Sequence, residues 1–72
     1  MSKLEINFWR YCLTISVLAK NEYDKNGYSE TIDRYYNYCI GALNFLQKQG
    51  LSAKRIIDLR RKIDIEFLPI MA

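Results

Sequence analysis

Residues 6–19, INFWRYCLTISVLA, are apolar almost throughout, in a chain of only 72 residues. Few folds of that size have room for such a segment. A surface helix needs one apolar stripe, and a half-buried strand needs simple alternation. Set on a helix at about 100° per residue, this stretch carries two apolar faces. Leu4, Phe8, Tyr11, Cys12, Ile15, Leu18 and Ala19 make a broad face of core width, and Ile6, Trp9, Leu13 and Val17 a narrower one. Glu5 and Ser16 divide the faces on one side; Asn7, Arg10, Thr14 and Asn21 divide them on the other. The broad face is expected to be core. The narrow one has to meet either another helix of the same chain or another chain, since leaving it in water forgoes about 1.5–3 kcal/mol per large side chain.

The same stretch is not a membrane span. Glu5, Arg10 and Lys20 interrupt it well short of the roughly 20 apolar residues that a bilayer requires. Glu5, Asn7 and Arg10 in its approach also speak against a secretory leader, so a soluble protein working in the cytoplasm is expected.

Turn chemistry divides the chain. Asn, Asp and Gly cluster in NEYDKNGYSE (21–30), Gly50 makes a second break, and Pro69 reads as a stop. Ser2 with Glu5 has capping-box spacing, Ser29 opens the next segment, and Ser52 the third. The spacing predicts an all-α, three-helix domain over residues 1–72, with helices at about 3–20, 29–49 and 53–67, built on an antiparallel helical hairpin. A rival exists: Leu13, Ile15 and Val17 alternate with polar residues, and Asn26-Gly27 is a hairpin signal. No second convincing strand follows, which favours helices.

The second segment carries Ile32, Tyr35, Tyr36, Cys39, Leu43 and Leu46 at helical spacing, flanked by Tyr38, Ile40 and Phe45. Two helices this apolar exceed what one short third helix can cover. Ile6, Trp9, Leu13 and Val17, with Tyr35, Tyr38 and Phe45, are therefore the candidate partner-binding residues, and Trp9 is the natural anchor. The expected partner is another protein or a second copy of the chain. Cys12 and Cys39 lie nearly equidistant from the 21–30 break, so an antiparallel hairpin brings them to one height across its seam, as small buried hydrophobes.

Catalytic or cofactor chemistry finds little to work with. The chain has no histidine, which removes the commonest general base and metal ligand together, and two cysteines alone do not make a zinc site. The carboxylates on the third segment sit one turn from cations, as Lys54 with Asp58, Arg60 with Asp64 and Lys62 with Glu66, the pattern of a solvated face. No enzyme and no cofactor are expected.

GLSAKRIIDLRRK (50–62) resembles the turn and second helix of a helix-turn-helix. The resemblance rests on Gly50, Leu51, Ser52, Ile56 and Leu59. It implies that Lys54, Arg55, Arg61 and Lys62 face outward toward nucleic acid, which a net charge of +3 permits. Leu46, Gln49 and Asp58 depart from that pattern, and a plain helical hairpin with a glycine and a serine cap yields the same letters. The sequence thus points first to a protein-interaction module and second to a small DNA-binding regulator.

Overall fold

The structure, a computed structural model, describes residues 2–71. It is a three-helix all-α domain, with α1 spanning Lys3–Asn26, α2 Glu30–Lys48 and α3 Ala53–Met71. Among the described residues there is no strand, so the alternation at 13–17 has no sheet to join. α1 and α2 form the antiparallel hairpin. α3 runs alongside α1 in the same direction, tied to it near both ends by Arg55–Glu5 and Lys20–Glu66. The long axis of 38 Å is set by α1, whose 24 residues rise about 36 Å.

Two boundaries differ from the expected ones. α1 continues through most of the 21–30 cluster to Asn26. Asn26 donates to Glu22 at 3.0 Å along the added turn. The helix stops where Gly27 takes φ 69°, a conformation only glycine reaches cheaply, and the Gly27 N–H closes onto the Tyr23 carbonyl at 2.8 Å. At the other end α3 runs past Pro69. Proline costs the Ile65 carbonyl its partner, but one turn from the helix end little helix remains to disrupt, and Ile70 beyond it is buried.

The caps follow the sequence at Ser2, Ser52 and Gly50 and depart from it at Glu5 and Ser29. Ser2 accepts the Glu5 N–H at 3.2 Å, yet the Glu5 carboxylate turns away from the cap to Arg55. Ser52 accepts the Arg55 N–H at 3.3 Å, whereas Ser29 makes no side-chain cap. α2 ends in a Schellman closure: Gly50 at φ 96°, its N–H on Gln47, and the Leu51 N–H on Leu46.

The core is Phe8, Cys12 and Ala19 of α1, Ile32, Cys39, Leu43 and Leu46 of α2, and Leu59, Ile63, Phe67 and Ile70 of α3. Two of the three acids of α3 reach other helices, while Asp58 stays 3.8 Å from Arg55 of its own helix. Glu66 takes Lys20 at 2.7 Å and Asp64 accepts the Tyr36 hydroxyl at 2.7 Å. Burial, then that hydrogen bond, pushes the Tyr36 phenol above its ordinary 10.0, with Arg60 opposing.

Candidate functional site

The buried line of α1 is Glu5, Phe8, Cys12, Ser16 and Ala19. The polar pair expected to separate two apolar faces is thus part of the most covered line on the helix. α2 and α3 straddle it, and each hides the inner margin of one face. Glu5 survives burial because Arg55 reaches it at 2.8 Å, and that bond raises the arginine further above its usual range. Ser16 survives by donating to the Leu13 carbonyl at 2.8 Å.

On the α3 side lies the narrow face. Trp9 is half-buried against the core, with the Lys62 ammonium 5.9 Å from its ring centre. Its own chain thus covers part of the residue expected to anchor a partner. Ile6, Leu13 and Val17 stay exposed beside it. Three charged contacts strap this side: Arg55 on Glu5, Lys62 over Trp9, and Lys20 on Glu66.

On the opposite side, among the described residues, no helix covers the seam between α1 and α2. Leu4, Tyr11 and Leu18, assigned to the core by their spacing, are exposed there. Across the seam stand Tyr38 and Phe45, also exposed, and half-buried Tyr35, whose ring meets Tyr38 edge-on at 6.2 Å. At the end nearer the start of α1 the seam opens into a groove of about 460 Å³, lined by Leu4, Asn7, Phe8, Tyr11, Ala42, Phe45 and Leu46. Sequence reasoning found the α2 half of this surface and missed the α1 half. The missed signal was the width of the broad face: its outer margin, Leu4, Tyr11 and Leu18, lies beyond what one neighbouring helix can hide.

Cys12 and Cys39 are both buried and both free, and their thiols meet across the hairpin seam. The neighbouring Cys39, then burial, pushes the Cys12 thiol far up, while the neighbouring Cys12 lowers that of Cys39 against the effect of burial.

The basic residues of α3 divide. Arg55 is committed to Glu5 and lies 3.8 Å from Asp58, and Lys62 leans over Trp9. Lys54 and Arg61 are exposed, but they share the outer face with Ile57, Ile65 and Leu68, also exposed. These three aliphatics were not foreseen. Among the described residues, no group of three or more His, Cys, Asp or Glu is placed to hold a metal, and no helix is long and apolar enough to cross a membrane. Comparison with protein-family models, with curated proteins and with solved structures returned no match for the chain.

Proposed function

We propose that the protein is a non-enzymatic interaction module that works in the cytoplasm by burying the open side of its α1–α2 hairpin against another protein chain. The observation that carries this is the continuity of exposed apolar surface across the seam, from Leu4, Tyr11 and Leu18 to Tyr38 and Phe45, over an apolar groove. Each of these side chains is about half exposed, so covering it gains roughly half of the about 1.5–3 kcal/mol that full burial of a large apolar side chain is worth. Tyrosine and phenylalanine suit such a site because they bury large area with little rotamer freedom to lose. A chaperone, adaptor, inhibitor or immunity partner all work this way.

The DNA-reading alternative has weaker support. Of Lys54, Arg55, Arg61 and Lys62, two are engaged within the chain, and the remaining pair flank exposed isoleucine and leucine, which a phosphate-lined groove does not favour.

The test is affinity purification of the tagged full chain from its native cells, beside the variants Phe45→Ser/Tyr11→Ser and Ile57→Ser/Leu68→Ser. A protein recovered in stoichiometric amount by wild type and by the α3 variant, and lost in the groove variant, is expected. Equal recovery by all three moves the interface elsewhere. Salt-sensitive duplex binding lost in Lys54→Ala/Arg61→Ala promotes the alternative.

A further inference from the structure

We infer that the element received by the groove is an acidic amphipathic helix of a different protein. This rests on the proposed docking site and adds the chemistry of its occupant.

The groove lies in a part of the hairpin that has no exposed acid. Along α1 no acidic residue occurs between Glu5 and Glu22, and along the chain from α2 none occurs between Asp33 and Asp58. Glu5 is buried and turned to α3, where Arg55 neutralises it. The rim is cationic. Lys3 and Arg10 stand one helical turn before and after Asn7, which lines the groove, and Lys48 stands one turn beyond Phe45; Arg34, one turn before Tyr38, lies farther along the same seam, beyond the groove. All four are exposed, and none makes an ion pair with the described residues. Contrast the α3 side, where the cations Lys20 and Arg55 already hold carboxylates of their own chain. An apolar trough with unspent positive charge on both banks complements a rod with an apolar ridge and carboxylates on both flanks, the helix-in-groove mode.

Charge and shape decide among the other occupants. A second copy in the same orientation brings the same four cations against themselves. An anionic bilayer satisfies the charge, but it is flat, and the apolar surface here is a trough between two helices rather than the ridge of one.

The test uses the full chain and two synthetic peptides of about 18 residues, each with Leu or Phe recurring every third and fourth position. One carries Glu on both flanks of the stripe, the other Lys. Fluorescence anisotropy is expected to show the acidic peptide binding about tenfold or more tighter than the basic one, with the gap closing as salt rises. In Arg10→Glu/Lys48→Glu the preference reverses, and in Phe45→Ser both peptides are lost. Equal affinity for the two peptides, or no affinity for either, overturns the acidic-helix inference, while the docking site itself is judged separately by the purification above. Sedimentation as a dimer that Tyr11→Arg dissociates overturns it in favour of a second copy. Flotation with phosphatidylserine vesicles, reduced in Phe45→Ser and accompanied by no peptide binding, overturns it in favour of a lipid surface.

Discussion

The two flanks of α1 are nearly equal in exposure. On the α3 side Ile6, Leu13 and Val17 are 39, 37 and 54% exposed; on the groove side Leu4, Tyr11 and Leu18 are 43, 44 and 45%. What differs is the material across from them. Beside the first flank α3 lays charged straps, with Arg55, Lys62 and Glu66 reaching over to α1, and the apolar surface ends there. Beside the second flank no charged contact among the described residues intervenes, and the surface continues onto Tyr38 and Phe45 of α2. What favours the groove side as the proposed docking surface is not its exposed area but its continuation onto a neighbouring element.

Four measurements sharpen or break that contrast. The largest effect belongs to the helix that makes the first flank. Phe67, buried and packed edge-on against Tyr36 at 5.5 Å, fixes α3 to the hairpin. Phe67→Ala should cost about 3–5 kcal/mol in urea unfolding, which a domain of this size cannot spare. A stable, cooperative Phe67→Ala protein would mean that α3 contributes little. Next comes Trp9→Ala, expected to lose about 2 kcal/mol because the ring is only half-buried. An unchanged urea midpoint would place Trp9 with the docking residues after all.

Phe45→Ser, on the second flank, should change stability by no more than about 0.5 kcal/mol while removing partner binding. A fall comparable to that of Trp9→Ala would show that Phe45 serves the fold. The smallest effect is alkaline. The Tyr36 phenol titrates higher folded than unfolded, so the unfolded chain gives up its proton first as pH climbs past 10. The stability from this group is therefore whole below pH 10 and declines above it. Tyr36→Phe should flatten that decline in pH-dependent melts, and an unaltered slope would remove Tyr36 as its source.

The helices were legible because their ends are written in short-range chemistry. Ser2, Ser52 and the Gly50 turn do what their positions require. The end of α1 was not, since Asn21, Asp24 and Asn26 tolerate a helix once Gly27 supplies the stop. Tyr35, Tyr38 and Phe45 could be singled out because they overfill the α2 stripe. The fate of α1's faces could not be read, because a helical wheel records which residues share a side but not where two neighbours straddle it. Polar letters at Glu5 and Ser16 looked like borders, and only a partner 50 residues away, Arg55, makes one of them interior. The straps were invisible for the same reason: Lys20 and Glu66 are 46 residues apart.

The meeting of Cys12 and Cys39 has a use of its own. Both thiols are sealed in the hairpin seam, so a soluble thiol reagent reaches them only while α1 and α2 part. Their rate of modification, divided by that of an open thiol, reads the free energy of that parting in undenatured protein, with no foreign label introduced. A ligand seated across α1 and α2 must hold the two helices together, so it slows the reaction in proportion to its occupancy. The chain therefore carries a chemical clock beneath the surface proposed to dock a partner.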